Sequence, residues 1–338
     1  MIDTRIFTEN GLSEAGEIIR NGGLIAFPTE TVYGLGASAF DKRAVKKIYA
    51  AKGRPSDNPL IVHISDKAQI KELTREITPT AQKLIDSFMP GPFTIILKKN
   101  DCIPDAVTAG LDTVGIRFPE NELAVKFIAA AGVPIAAPSA NLSGKPSPTK
   151  AIHVINDMTG RIEGIIDGGI CNVGVESTIV DASGDAPVLL RPGGITIEML
   201  REIVPETTIN KHVLSSVGKD EKPLCPGMKY KHYAPNAEVI VVEGEKDAVQ
   251  NKIKELLKEN SDKVTGVLTM YNSAYDDAVI LSAGTDNKTY AKMLFSALRS
   301  FDELGVELVF AEFCEQDGYG LAVKNRLYKS AGNNIIYV

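Results

Sequence analysis

The chain has 338 residues, 44% hydrophobic and 24% charged, the size of two domains and the balance of a globular protein rather than a disordered tail or a fibre. The net charge of −6, from 37 basic and 43 acidic residues, argues against a general coat for nucleic acid. Four isolated cysteines without a CxxC pair exclude zinc fingers and a disulfide framework, and the expectation is reduced thiols in the cytoplasm. The N-terminus Met1-Ile2-Asp3-Thr4-Arg5 lacks the basic and apolar regions of a secretion signal, and no apolar stretch approaches the roughly 20 residues of a membrane span.

In chain order, Leu24–Pro28 reads as a buried strand, followed by a loop and a helix from Asp41 to about Ala51 that Gly53 stops. Leu60–Ile64 reads as a strand, and Thr78-Pro79 as the start of a helix reaching Phe88. Phe93–Lys99, Val114–Phe118 and Val133–Ala137 read as strands, with a helix between the last two. Thr149–Met158 looks helical, and Gly164–Asp167, Ser177–Asp181 and Val188–Arg191 alternate with turns. From Pro205 to Pro235 the periodicity fails, which predicts an interdomain connection. Glu238–Glu243, Lys246–Glu259, Val264–Met270, Lys288–Leu304, Val306–Phe310 and Gly320–Ser330 then alternate strand and helix, predicting a small parallel sheet with helices on both faces. The fold class is α/β in both parts.

Charge is uneven: residues 1–100 carry 14 Lys+Arg against 11 Asp+Glu, and residues 101–200 carry 6 against 12. Lys42, Arg43, Lys46 and Lys47 suit a solvated helix face, whereas Lys52 and Arg54 are expected beyond the helix, in a loop. Walker, GxGxxG, HExxH and GxSxG motifs are missing, and His63, His153, His212 and His232 lie far apart in the chain. Three segments dense in Pro, Gly, Ser, Thr and Asn follow predicted strands: Pro28–Gly36, Lys52–Pro59 and Pro138–Thr149. Ligands of open α/β sheets bind beyond the carboxyl ends of strands, and small polar loops with backbone amides suit anions.

Phe27-Pro-Thr-Glu-Thr-Val-Tyr-Gly-Leu-Gly36, Lys52-Gly-Arg-Pro with Asn58-Pro-Leu, Gly115-Ile-Arg-Phe-Pro119, Ala137-Pro-Ser-Ala-Asn-Leu-Ser-Gly144 and Glu176-Ser-Thr-Ile-Val-Asp181 together resemble the YrdC-like domain. With Pro226-Gly-Met-Lys-Tyr-Lys-His-Tyr-Ala-Pro235 and a following α/β unit, the whole is similar to the two-domain threonylcarbamoyl-AMP synthases. The resemblance implies a YrdC-like, twisted open α/β domain with a concave active site over 1–205 and a linker folding over that site at 206–236. A smaller Rossmann-like α/β domain would occupy 237–338.

It also implies that L-threonine, bicarbonate or CO2 and ATP give threonylcarbamoyl-AMP and pyrophosphate, with Mg²⁺ carried by the nucleotide and no metal ligand from the protein. A threonylcarbamoyl transferase acting on tRNA, beside the anticodon, would be the downstream partner, with a contact to tRNA itself and none to a membrane. Lys52, Arg54, Ser139 and Asn141 match the family's catalytic tetrad. Thr31, His63, Arg117, Ala137 through its backbone, and Ser177 would hold threonine; Arg54, Asn58, Thr113, Ser139, Ser147, Arg191 and Tyr233 would contact ATP. An anion attacking an anion calls for positioning and positive charge, which Lys52, Arg54, Arg117 and Arg191 supply. Two other readings stand beside this one: a hydrogenase-maturation type of carbamoyl-adenylate former, which adds CxxC repeats missing here, and an RNA-binding or ribosome-assembly factor with a basic concavity.

Overall fold

The computed structural model describes residues 2–214, 222–228, 232–271, 273–314 and 318–338. The chain forms two compact units. The first comprises Met1–Ser143, Ser147–Asn172 and Glu176–Lys229, and the second Gly144–Pro146, Val173–Val175 and Tyr230–Val338.

The first unit runs β1 (Arg5–Phe7), α1 (Leu12–Arg20), β2 (Ile25–Phe27), β3 (Gly34–Ser38), α2 (Lys42–Lys52), β4 (Ile61–His63), α3 (Gln69–Leu73), α4 (Pro79–Phe88) and β5 (Phe93–Lys98). It continues as α5 (Asp105–Thr108), β6 (Thr113–Arg117), α6 (Glu122–Ala131), β7 (Ile135–Ala137), α7 (Ala151–Met158), β8 (Gly164–Ile166), β9 (Thr178–Asp181), β10 (Val188–Arg191), α8 (Ile197–Ile203) and β11 (Thr208–Ile209). Its strands form an eleven-stranded mixed sheet in the order β1-β8-β2-β3-β7-β4-β6-β5-β9-β10-β11. A core beneath β2 and β7 joins Ala15 and Ile19 of α1 to Phe127, Ile128 and Ala131 of α6.

Helix ends follow local chemistry. The Asp41 side chain accepts from the amides of Arg43 and Ala44 to open α2, and Gly53, at φ 62°, ends it where a side chain would be strained. Thr78 caps α4 ahead of Pro79, and Asn121 caps α6. Two expectations are corrected. Lys52 is the last residue of α2 rather than part of the following loop. Gly34–Ser38, expected as loop, is a strand buried along its whole length; Gly-Leu-Gly-Ala-Ser offers neither alternation nor branched residues to announce it. The irregular segment after Pro205 is also partly built in: Thr208–Ile209 pairs with β10, and Cys225 and Met228 pack on Ile61, Ile96, Ile179 and Leu190.

The second unit runs β12 (Glu238–Glu243), α9 (Lys246–Glu259), β13 (Thr265–Thr269), β14 (Val279–Ser282), α10 (Asn287–Glu303), β15 (Leu308–Phe313), α11 (Gly320–Ser330) and β16 (Ile335–Tyr337). All its pairings are parallel, in the order β14-β13-β15-β12-β16, as βαβ alternation requires. β14 and β16 went unpredicted. The carboxylate of Glu312 is buried at the end of β15, where it accepts from Thr269 Oγ1 (2.6 Å), Met270 N (2.8 Å), Tyr271 N (3.1 Å) and Tyr275 Oη (2.5 Å). No described helix is long and apolar enough to cross a membrane.

Candidate active site

Strand register gathers much of the predicted site onto one face of the large sheet. Paired residues share a face, and alternate residues return to it. His63 pairs with Arg117 on one side and Ile135 on the other, while Ile61 pairs with Gly115 and Ala137. Ala137, His63, Thr113, Gly115 and Arg117 therefore share a face across β7, β4 and β6. Gly115 pairs with Ile96 of β5, two residues from Thr94, and the Thr94 hydroxyl lies 2.8 Å from that of Ser177, so Ser177 joins the same face. Phe27, paired with Gly34, closes one end, its ring meeting the His63 imidazole edge to face at 5.6 Å between centroids. A Cβ on Gly34 would stand 3.1 Å from that ring, tighter than an ordinary contact.

Arg117 ends β6 and is buried. Its Nη2 lies 2.8 Å from Oε1 of Glu30, which comes from the turn after β2, yet neither atom makes an aligned hydrogen bond within the protein. Arg117 Nε and both Glu30 oxygens are in the same condition. Burial first, and the neighbouring Arg117 charge next, push the His63 pKa down to about 3, so its ring is neutral and serves as a hydrogen-bonding group. Burial likewise pushes the Cys171 thiol, beside Thr29, Glu30 and Arg117, up to about 12. Thr31 is held by Thr29, whose hydroxyl lies 2.9 Å from its own and accepts from its amide at 3.2 Å.

Lys52 reaches from the end of α2 into the loop after β7. Its Nζ donates to the carbonyls of Ser139 and Asn141, each at 2.5 Å, and Ser139 Oγ donates to Asn141 Oδ1 at 2.5 Å. The side chain is buried, at the end of α2 rather than in the loop expected of it. Arg54 is half-buried, and its Nη2 makes long contacts with the carbonyls of Pro59 (3.3 Å) and Asn58 (3.5 Å). Asn58 is fully buried, and neither atom of its side-chain amide has a partner. Arg191 Nη2 donates to the carbonyl and hydroxyl of Ser177 at 2.9 and 3.1 Å, and its Nη1 to the Pro226 carbonyl at 3.4 Å. Ser147 donates to Glu176 at 2.6 Å. Thr113 lines a mainly apolar pocket with Pro59, Gly115 and Ile179, and Leu224, Cys225 and Pro226 form another wall of it.

Tyr233 lies in the second unit, buried, at φ 67°, with its ring 5.1 Å from that of Phe295 between centroids. The Ala234 amide beside it donates to Gly144 at 3.0 Å. Lys229, Tyr230 and Lys231 of the linker signature lie outside the described residues.

The family profile described as "Telomere recombination" matches residues 17–193, and the one described as "Threonylcarbamoyl-AMP synthase, C-terminal domain" matches 195–332. The threonylcarbamoyl-AMP synthase of Pyrococcus abyssi is 49% identical over 324 residues, covering 96% of this chain and 95% of that protein. The chain belongs to the threonylcarbamoyl-AMP synthase family. It has the two-domain form and is an enzyme of the ATP-using nucleotidyltransferase type. The family member of Bacillus subtilis is 48% identical over 330 residues, covering 96% of this chain and 94% of that protein. The crystal structure of P. abyssi Sua5 complexed with L-threonine superposes with a TM-score of 0.94 at 48% identity, over 100% of this chain and 99% of that one.

The sequence assigned no role to Glu30 or Asp181; Glu30 pairs with Arg117, and Asp181 accepts from the amide and hydroxyl of Ser183. Thr94 and Glu176, partners of Ser177 and Ser147, were also missed. The available signal was an acidic residue between two threonines in an otherwise apolar stretch. Its partner is far away in the sequence, and no local pattern names it.

Proposed function

We propose that this enzyme condenses L-threonine, bicarbonate or CO2 and ATP into threonylcarbamoyl-AMP and pyrophosphate. The product passes in the cytoplasm to a transferase that modifies the adenosine beside the anticodon of tRNA. The observation that carries the reading is the single sheet face bearing Ala137, His63, Arg117 and Ser177, with unpartnered buried atoms on Arg117, Glu30 and Asn58. Buried polar groups left without partners are costly, and a site that awaits a ligand is one reason to keep them.

In this reading Arg117 takes the threonine carboxylate, since a guanidinium offers a planar fork. Neutral His63 and the hydroxyls of Thr31 and Ser177 offer partners for the remaining polar groups. The amine, having lost its ammonium proton, adds to the carbon of CO2 and sheds a second proton to give a carbamate. A carbamate oxygen then attacks the α-phosphorus as the bond to pyrophosphate breaks. Lys52 holds the Ser139–Asn141 loop against the reacting groups, and Arg54 and Arg191 offset the phosphate charge. Mg²⁺ arrives with the nucleotide, whose phosphates supply most of its ligands. Asn58, Thr113 and Ser147 meet the nucleotide, and the segment through Leu224–Pro226 closes over it, excluding water from a labile mixed anhydride. The assignment of Tyr233 to ATP rests on the linker resemblance alone.

The test is pyrophosphate release from ATP and bicarbonate with each amino acid in turn. Release should require L-threonine, because a site built for a hydroxyl rejects the isostere lacking it. Equal turnover with valine, or turnover without any amino acid, would overturn the proposal.

A further inference from the structure

The Glu30 and Arg117 side chains are 8% and 4% exposed, and the pair they form carries no net charge. Two neighbouring titratable groups add none. Burial holds His63 neutral, and Cys171 is a protonated thiol. Outside the 2.8 Å contact, Glu30 Oε2 and Arg117 Nε have no hydrogen-bond partner, so the pair retains a spare acceptor and a spare donor. A pair built solely for stability would satisfy these atoms, since a buried ion pair repays its desolvation only through good geometry and further hydrogen bonds.

The geometry points to Glu30 as a positioning and specificity-determining residue, which neutralises Arg117 so that the site accepts an amino acid only as its zwitterion. This rests on the reading of the Arg117 face as the threonine site. An α-carboxylate arriving alone would place one uncompensated negative charge in buried surroundings, which the protein interior strongly disfavours. A zwitterion brings its own compensation: the carboxylate meets the donors of Arg117, and the ammonium meets the acceptors of Glu30. The same neutral pair would keep ATP, bicarbonate and other simple anions from occupying Arg117 in the absence of the amino acid. Without Glu30, Arg117 would be a plain anion site.

The test measures equilibrium binding of L-threonine and of (R)-3-hydroxybutyrate, which is threonine without its amino group, to the full chain. The wild-type protein should bind threonine at least about 100-fold more tightly, the worth of one or two charge-assisted contacts. In Glu30→Gln, which keeps the shape and removes the charge, that ratio should shrink at least about 10-fold, with 3-hydroxybutyrate gaining affinity. Glu30→Asp should restore the ratio while both affinities fall. Threonine binding with an unchanged ratio in Glu30→Gln would overturn the role of Glu30 alone. Should that variant not fold, comparable wild-type affinities for the two molecules would overturn it equally. Failure of the wild type to bind threonine would overturn the underlying site assignment as well.

Discussion

Lys52 shows how a catalytic assignment and a structural one can be separated. Its ammonium donates to two carbonyls, of Ser139 and Asn141, each at 2.5 Å, from a side chain that is almost fully buried. A hydrogen bond from a charged group contributes about 1.5–3 kcal/mol, so two are worth about 3–6 kcal/mol, part of it offset by desolvation of the ammonium. Lys52→Met keeps the stem and removes the charge. It should destabilise the first domain by about 3 kcal/mol or more, which at roughly 2–4 °C per kcal/mol lowers its melting temperature by about 6–12 °C. Arg54→Gln is the contrast. Its Nη2 contacts with the Pro59 and Asn58 carbonyls are long, 3.3 and 3.5 Å, and solvent screening at a half-buried side chain keeps the expected stability change below about 1 kcal/mol. Turnover should still fall about 10- to 150-fold, from one lost charge-assisted contact to the transition state. Thermal unfolding and pyrophosphate release, measured on the same preparations, give both axes. Wild-type melting of Lys52→Met would refute the two-carbonyl anchor, and full turnover of Arg54→Gln would refute the catalytic part proposed for it.

Three other outcomes follow from buried groups elsewhere. His63 titrates near 6.5 when unfolded but at about 3 when folded, so stability is full above pH 6.5 and is lost as pH falls toward 3. Urea unfolding between pH 4 and 7 should show His63→Asn losing about 1.4 kcal/mol per pH unit less than the wild type, and equal slopes would contradict the buried neutral ring. Asn58→Leu replaces a buried amide without partners, so stability should hold or rise by about 1–3 kcal/mol while the KM for ATP increases about 10-fold; a destabilised variant would show that the amide is satisfied in solution. Glu312→Ala strands four donors in the second domain and should cost about 3–5 kcal/mol there while the first domain melts unchanged, as two-transition calorimetry would report.

What could be read in the sequence was local. Asp41 and Gly53 announce the two ends of α2, Thr78-Pro79 opens α4, and the repeats of apolar positions in Glu238–Glu243, Lys246–Glu259 and Gly320–Ser330 coincide with β12, α9 and α11. Three of the strands that escaped lack such signals. β3 is small residues buried on both faces, and β14 and β16 are short edge strands. In the site, residue identities came from motifs, but their energetics did not. Lysine is among the residues least often buried, so nothing local foretells that Lys52 is sealed beneath the Ser139 loop. The Glu30–Arg117 pair forms between a turn and a strand end far apart in the chain, and only the sheet order β2-β3-β7-β4-β6 brings them together.

That register also arranges charge along the face in a way the proposed chemistry demands. Thr113 and Arg117 point from the same side of β6, four residues apart, roughly 13 Å at about 3.3 Å per residue, with Gly115 leaving the strand bare between them. The amino acid enters as a neutral zwitterion, so its end of the face carries a neutral pair. Negative charge appears only when the amine becomes a carbamate, and it must then approach a triphosphate. Cations belong at that later step, and the proposed mechanism draws them from Arg54 and Arg191, which lie outside the Glu30–Arg117 pair. A site with its positive charge spread evenly would hold simple anions at both ends and gain nothing when the carbamate forms. Keeping one end neutral reserves the electrostatic stabilisation for the species that has to react.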